Sequence, residues 1–355
     1  MRRRALILGL AAFVLEASLA VGWPGYATRA QSARAGAGVH VQIEAPSSRD
    51  AVWRTIFARP DEAPHPPDNP ANAAKTALGH DLFRDPRLSG DGRRSCATCH
   101  DPRRGFSDGR PKGEGRSGAS LGRNVPSLFN LAWGQRFFWD GRAPSLEAQA
   151  LVPLLGSEEL AGDVGLILSR LGRDPRLTER FLRAFPETPE ISEATLLKSI
   201  AAYERTLISP ETRFDRWVEG DDGALREPEL AGFGLFVGKA GCVACHGGWR
   251  FTDDAFHDIG LPGPDPGRGA VPGGVPGLSE FKTPGLRELK WTAPYMHDGS
   301  LASLRAAVDH YAGGLIQRPS LAANIVRDLT LTEAEKRALM AFLESLSGDT
   351  SGPEN

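Results

Sequence analysis

The chain has 355 residues, of which 41% are hydrophobic, and this length has room for two domains that each have their own core. Its formal net charge of −2 provides no electrostatic basis for binding nucleic acid, so we expect no nucleic-acid partner. The high content of glycine (41) and proline (27) predicts short helices joined by ordered loops.

The N-terminus has the pattern of an export signal. Three arginines at 2–4 precede an apolar run over 5–21 that Glu16 and Ser18 interrupt. We assign residues 1–35 to a signal peptide and leader, cleaved after Ala20 or after Ala35, and expect a periplasmic protein. An uncleaved membrane anchor is the alternative, which the short run and its Glu16 disfavour.

The first domain is predicted at 51–215. It begins with a helical pattern over 72–83, which ends at the stop signal Asp85-Pro86. Residues 96–100 then read Cys-Ala-Thr-Cys-His, and a polar loop over 101–122 follows. No histidine occurs between His100 and His246, and no methionine between Met1 and Met296.

Further helical patterns complete the chain. They lie at 145–155, 164–171, 178–184, 192–207, 228–239 and 331–346, with a helix or linker over 205–219. The second domain is predicted at 216–347, where Cys-Val-Ala-Cys-His stands at 242–246 and a loop dense in glycine and proline at 261–277. Each half has a C-x-x-C-H motif early and an amphipathic helix late, which predicts a tandem repeat of one helical domain.

The two C-x-x-C-H motifs predict two covalently bound c-type haems. Two thiols one helical turn apart add to the vinyl groups of a porphyrin, and the adjacent imidazole becomes the proximal ligand of the iron. The motifs use every cysteine of the chain: Cys96 and Cys99 with His100, and Cys242 and Cys245 with His246. A disulfide or redox pair would not require the histidines, and a zinc site would have to join ligands roughly 140 residues apart.

The loop after the first motif predicts an open iron. A haem that only carries electrons is normally closed on its second face by histidine or methionine, and neither occurs in this loop. The first haem is therefore expected to bind a small molecule.

Three further blocks accompany the motifs. They are Phe-Trp-Asp-Gly-Arg-Ala at 138–143, Phe-Lys-Thr-Pro-Gly-Leu-Arg at 281–287 and Thr-Ala-Pro-Tyr-Met-His-Asp-Gly-Ser-Leu at 292–301. With these blocks, residues 70–347 resemble the bacterial dihaem cytochrome c peroxidase family, which includes MauG. The resemblance implies a mainly α fold of two tandem cytochrome c-like haem domains with Gly/Pro-rich loops.

The resemblance assigns roles around the first haem. Trp139 matches a tryptophan that relays electrons or holes between the haems, although a core indole would also fit. Gln149 and Glu159 match polar residues over the open face, with Pro153 in the same wall. Glu159 would move the proton during peroxide cleavage, and Glu158 is its rival because the local register is inferred.

The loop after the first motif departs from many family members. Those peroxidases carry a histidine there that blocks the iron until the second haem is reduced. This chain has Arg116 near that place, which implies that no reductive activation is needed.

The resemblance also predicts a ligand for the second haem and a calcium site. Tyr311 stands where family peroxidases have methionine and MauG has tyrosine, and a phenolate would lower the potential of this haem. Competing ligands are Met296, His310 and Met340. Calcium is implied between the side chain of Asn124 and the backbone carbonyls of Thr292 and Pro294.

These expectations together describe a periplasmic dihaem c-type peroxidase. It would reduce hydrogen peroxide to water with electrons from a small periplasmic donor, a cytochrome c or a cupredoxin. One alternative is a MauG-like enzyme that oxidatively modifies a protein substrate, although Ala240 stands where MauG passes holes through a tryptophan. The other is a dihaem electron carrier with two six-coordinate haems and no peroxide reactivity.

Overall fold

The computed structural model describes residues 48–348, so the predicted signal peptide and leader lie outside the described residues. This part of the chain is mainly helical. Its helices are α1 Ser48–Phe57, α2 Ala73–Phe83, α3 Leu146–Leu155, α4 Val164–Gly172, α5 Pro175–Ala184, α6 Glu193–Glu204, α7 Arg213–Val218, α8 Glu227–Val237, α9 Leu304–Tyr311 and α10 Glu333–Ser345. One antiparallel pair, β1 Phe256–His257 with β2 Phe281–Lys282, is the only named sheet in the described range. None of the described helices is long and apolar enough to span a bilayer.

Most helices begin where the sequence predicts. Asn72 caps α2 by accepting from the backbone N–H groups of Ala74 and Lys75. Ser192 and Thr332 form capping boxes at the starts of α6 and α10. The predicted helices correspond to α2, α3, α4, α5, α6, α8 and α10, and α7 lies within the segment expected to be a helix or linker. Helices α1 and α9 were not predicted.

The buried apolar side chains form two large clusters. The first cluster spans residues 78–207 and is built from α2 to α6 with neighbouring loops; Cys96 packs against it. The second cluster spans residues 214–346 together with Phe57, and Cys242 packs against it. Each C-x-x-C-H motif therefore lies beside its own core. Helix α1 packs on the second cluster through Phe57, whose ring stacks on Phe251. The domain bounds of 51–215 and 216–347 stay a prediction.

Both clusters contain a close helix crossing at a glycine. A Cβ on Gly79 of α2 would lie 1.8 Å from the carbonyl oxygen of Ser199 on α6. A Cβ on Gly232 of α8 would lie 2.0 Å from the carbonyl oxygen of Ala338 on α10. Only glycine permits this approach of two backbones, so the helix before each motif is held directly against the last long helix of its cluster.

Candidate functional site

The two C-x-x-C-H motifs have the same local structure. The first lies on a 3₁₀ turn at Cys96–Thr98 and the second on a 3₁₀ turn at Cys242–Ala244. The backbone N–H of His100 donates to the carbonyl of Cys96 at 3.0 Å, and that of His246 donates to the carbonyl of Cys242 at 2.9 Å. Each motif is thus one compact turn that presents two thiols and an imidazole together.

The two motif histidines are oriented in the same way. Nδ1 of His100 lies 2.8 Å from the carbonyl oxygen of Phe106, and Nδ1 of His246 lies 2.8 Å from that of Phe251. Both phenylalanines adopt left-handed backbone conformations, with φ of 58° and 57°. A carbonyl accepts only from a protonated nitrogen, so Nε2 of each ring retains its lone pair. Iron-bound histidine usually has this arrangement, and the residues therefore fit haem at both motifs.

The protonation of these side chains also fits haem attachment. Burial lowers the pKa of His100 and of His246, which keeps both imidazoles neutral. Burial raises the pKa of Cys96 and of Cys242 to about 12, so these are not the stabilised thiolates of a zinc or redox site.

Glu159 has the surroundings expected of a proton-transfer group. Burial raises its pKa, opposed by the charge of Arg142, and its carboxylate accepts no hydrogen bond from the described residues. Its charge contributes to the raised pKa of Cys99, which places it within electrostatic reach of the first motif. This carboxyl can hold a proton near neutral pH more readily than a solvated one.

The rival residue Glu158 lies in different surroundings. Its carboxylate accepts from the hydroxyl and the backbone N–H of Ser117, and these bonds lower its pKa. Its backbone carbonyl accepts from the N–H of Arg116 at 2.7 Å, so the loop after the first motif is anchored here. Glu158 is therefore used to hold this loop.

Gln149 and Pro153 belong to the helix that precedes this turn. They are four residues apart on α3 and so lie on the same helical face. The helix ends at Leu155, and the N–H of Glu159 donates to the carbonyl of Gly156 at 2.9 Å. Helix α3 and the turn after it therefore carry the residues predicted to form the wall over the open face of the first haem.

Trp139 joins the first half of the chain to β2. Its indole N–H donates to the carbonyl of Asn124 at 3.0 Å, and its own carbonyl accepts from the N–H of Lys282 at 2.7 Å. Its neighbours Phe138 and Gly141 both have φ of 67°, which produces the sharp turn that carries the indole. The indole N–H and the backbone carbonyl of Trp139 are thus both hydrogen-bonded. A relay between the two halves would need such a fixed position.

Tyr311 is associated with the second motif. It is the last residue of α9, and burial followed by the charges of Cys242 and Cys245 raises its pKa. The competing His310 has another partner, because its Nε2 lies 2.9 Å from the carbonyl oxygen of Ile259. Met340 packs in the second cluster, and Met296 lies in a left-handed turn with φ of 74°.

The predicted calcium ligands partly converge. The side-chain amide nitrogen of Asn124 lies 3.4 Å from the carbonyl oxygen of Pro294 and 2.8 Å from that of Arg110. The backbone N–H of Asn124 donates to the carbonyl of His297 at 2.7 Å, so the segment containing Thr292 packs on this loop. The Asn124 amide nitrogen faces the carbonyls of Arg110 and Pro294, so the amide would have to turn its oxygen towards them to bind calcium.

Among residues 48–348, one cluster of at least three histidine, cysteine or carboxylate ligand groups occurs, at Cys245, Asp253 and His257. Nε2 of His257 lies 2.7 Å from the Asp253 carboxylate. Cys245 belongs to the second motif, so this cluster is part of the haem environment.

Two features were missed in the sequence. Glu204 is 4% exposed at the end of α6, and its Oε2 atom has no hydrogen-bond partner among the described residues. Trp249, three residues after His246, contacts Trp133 with ring centroids 4.6 Å apart. The only sequence signal for Glu204 is a carboxylate in a mainly apolar helix. No local sequence pattern indicates that Trp133 and Trp249 are in contact.

Comparison with known proteins agrees with this site. A family model for di-haem cytochrome c peroxidase matches residues 73–223. The methylamine utilization protein MauG of Methylorubrum extorquens is 47% identical over 302 residues, 84% of this chain and 85% of the relative. The cytochrome c551 peroxidase of Nitrosomonas europaea is 35% identical over 286 residues, 79% of this chain and 82% of the relative.

A solved structure shows the same family similarity. The crystal structure of a MauG-like protein associated with microbial copper homeostasis superimposes with a TM-score of 0.76 at 34% identity, covering 83% of this chain and 97% of that one. The predicted family, mainly α fold and oxidoreductase class are confirmed. The chain therefore belongs to the di-haem cytochrome c peroxidase family, whose enzymes use two haems.

Proposed function

We propose that this protein is a periplasmic dihaem c-type peroxidase that reduces hydrogen peroxide to water. The electrons come from a small periplasmic donor, a cytochrome c or a cupredoxin. The observation that carries the proposal is Glu159, a half-buried carboxyl with a raised pKa, free of hydrogen-bond partners in the described chain and close to the first motif. The family membership of the chain supports it.

The chain's own residues divide the work of holding the cofactors. Cys96 and Cys99 would hold one haem and Cys242 and Cys245 the other, with His100 and His246 as iron ligands. Tyr311 would be a further iron ligand at the second motif. Haem bound at the first motif would supply the iron chemistry of peroxide reduction.

Glu159 moves the proton. It would accept a proton from one oxygen of the peroxide and return it to the other oxygen, which leaves as water. A raised pKa makes this return possible because the protonated carboxyl persists long enough to donate. Gln149 orients the peroxide, and Trp139 carries electrons between the two halves. Asn124, Thr292 and Pro294 would hold calcium, which would stabilise the segment to whose Asn124 carbonyl the Trp139 indole donates.

The test is low-temperature EPR of the fully ferric protein before and after one equivalent of peroxide. One high-spin and one low-spin signal, both lost on addition of peroxide, are expected. Two low-spin signals that peroxide leaves unchanged would instead identify an electron carrier. Stopped-flow assays with reduced cytochrome c then measure whether two electrons leave the donor for each peroxide consumed.

A MauG-like modification of a protein partner is the second candidate. Two observations favour it: the 47% identity to a MauG protein and the place of Tyr311 beside the second motif. In this case peroxide would abolish both EPR signals, but small donors would be oxidised slowly. Mass spectrometry would detect oxidised residues on the partner. Rapid stoichiometric oxidation of a small donor would reject this candidate.

A further inference from the structure

Glu204 is a buried carboxyl without a hydrogen-bond partner. It is 4% exposed, and its Oε2 atom is buried and unpaired within the described chain. Burying a carboxylate without a partner is strongly unfavourable, so such a group stays protonated unless a positive charge arises nearby. Burial and the charge of Glu147 raise its pKa to about 8, and only the charge of Arg205 opposes this.

The charge of Glu204 acts on the first motif. Cys96 packs against the first cluster, which includes Ile200 of the same helix. After burial, the charge of Glu204 is the largest cause of the raised pKa of the Cys96 thiol. A change of charge at haem bound through Cys96 would therefore act on Glu204 as well.

Two groups whose charges act on Glu204 line an open cleft. Glu147 and Arg205, whose charges act on Glu204, form a two-point ion pair with N–O distances of 2.8 and 3.0 Å. Both line a cleft of about 720 Å³, together with His65. The Nδ1 atom of His65 is buried and has no partner in the described range. The cleft is large and polar enough to hold water that can accept or supply a proton.

We propose that Glu204 is the proton-linked group of the first haem. When this haem accepts one electron at or above about pH 8, where Glu204 is partly ionised, the Glu204 carboxylate takes up one proton from cleft water. When the haem loses that electron to an oxidant, the carboxylic acid returns the proton to the cleft. At most one proton moves for each electron, and no bond to the haem forms or breaks in this exchange. The inference depends on the proposed function, because it requires haem at the first motif.

The groups that face Glu204 determine which variants test this role. Arg205 stands on the same helix, Glu147 on α3 and Cys96 on the motif turn. The hydrogen bonds from Arg205 help to hold the pKa of Glu147 below its usual value, and Cys96 is a thioether once haem is attached. Glu204 is therefore the group among these four whose charge changes near neutral pH.

The test is a spectroelectrochemical titration of the holoprotein from about pH 6 to about pH 10. In the wild type, the electron affinity of the first haem should fall by up to about tenfold per pH unit around pH 8. Glu204→Gln should remove this dependence. The exposed Glu187→Gln, in the loop before α6, should retain it. An unchanged pH dependence in Glu204→Gln would overturn the proposal and assign the proton to another group, such as a haem propionate.

Infrared difference spectra of the wild type provide a readout that needs no stable variant. A carboxylic acid C=O band should gain intensity on reduction near pH 8, and Glu204→Asp should shift it. Absence of any such band overturns the inference. If the high-spin haem and its reaction with peroxide are present in the same sample, only the Glu204 role fails. If the high-spin haem is missing, the proposed function fails with it.

Discussion

Glu158 and Glu159 are neighbours in the chain with opposite surroundings. Ser117 donates two hydrogen bonds to Glu158 and lowers its pKa, whereas burial raises the pKa of Glu159. The hydrogen bonds favour the charged form of the first carboxylate, and burial disfavours the charged form of the second. A single step along the backbone therefore separates a carboxylate that holds a loop from the proposed proton-transfer group.

We expect Glu159→Gln to slow the reaction of the ferric protein with peroxide by about 10²- to 10⁴-fold, because an amide cannot accept and return the proton. Stopped-flow absorption of the first haem measures this rate. Glu158→Gln is the matched control and should change the rate only a few-fold. Equal losses in both variants would contradict the assignment of Glu159.

Tyr311→Phe should change the low-spin spectrum of the second haem and leave the high-spin signal of the first haem intact. The phenyl ring has no oxygen to bind iron, so the potential of the second haem should rise. EPR and redox titration measure both effects. The control is Met340→Leu, which preserves volume in the second cluster and should leave the spectrum unchanged. A normal low-spin spectrum in Tyr311→Phe would require another ligand.

At the scale of elements, the two glycine crossings explain how each motif is positioned. We expect Gly79→Ala and Gly232→Ala each to destabilise the fold by about 1–3 kcal/mol or more, because the new Cβ would overlap a backbone carbonyl. Thermal unfolding of the holoprotein measures the loss. Gly172→Ala at the end of α4 is the control, since a Cβ there meets nothing within 4 Å. Its stability should stay equal or rise by up to about 1 kcal/mol.

The elements that sequence could predict are those with local signals. Caps such as Asn72 and Ser192 and the helical periodicity locate most helices, and the C-x-x-C-H spacing locates both motifs. Helix α1 follows the predicted leader, and α9 is only eight residues long, although Ser303 caps it and its sequence is amphipathic. The isolation of Glu204 depends on contacts between distant segments, so the local sequence shows a carboxylate in an apolar helix but not its lack of a partner. The choice of Glu159 over Glu158 needed the family resemblance for the same reason.

At the scale of the whole molecule, Arg123 ties the two halves together. It donates to Asp140, next to Trp139, at 2.6 Å and to Asp265 at 2.7 and 2.8 Å. The hydrogen bond from Arg123 outweighs burial and lowers the pKa of Asp265 to about 2. This ion pair therefore helps to hold the segment that carries the proposed relay.

The pH dependence of this ion pair follows from the depressed pKa. The folded-state value of about 2 lies below the ordinary 3.8, so the stabilisation is complete above about pH 4 and is lost as pH falls towards 2. Asp265→Asn should remove about 1–2 kcal/mol of stability at pH 7 and flatten the acid limb of unfolding. Chemical denaturation at several pH values measures this. Asp68→Asn, at a side chain 76% exposed, should leave the acid limb unchanged.

The matching hydrogen bonds of His100 and His246 have a consequence for redesign. Since both imidazoles donate to a carbonyl at 2.8 Å, this hydrogen bond does not distinguish the two proposed axial ligands. The side chains that differ most between the two motifs are those proposed for the opposite faces, Glu159 at the first and Tyr311 at the second. Converting this protein from one oxidant to another is accordingly a problem of a few side chains around α3 and α9, while both attachment turns stay untouched.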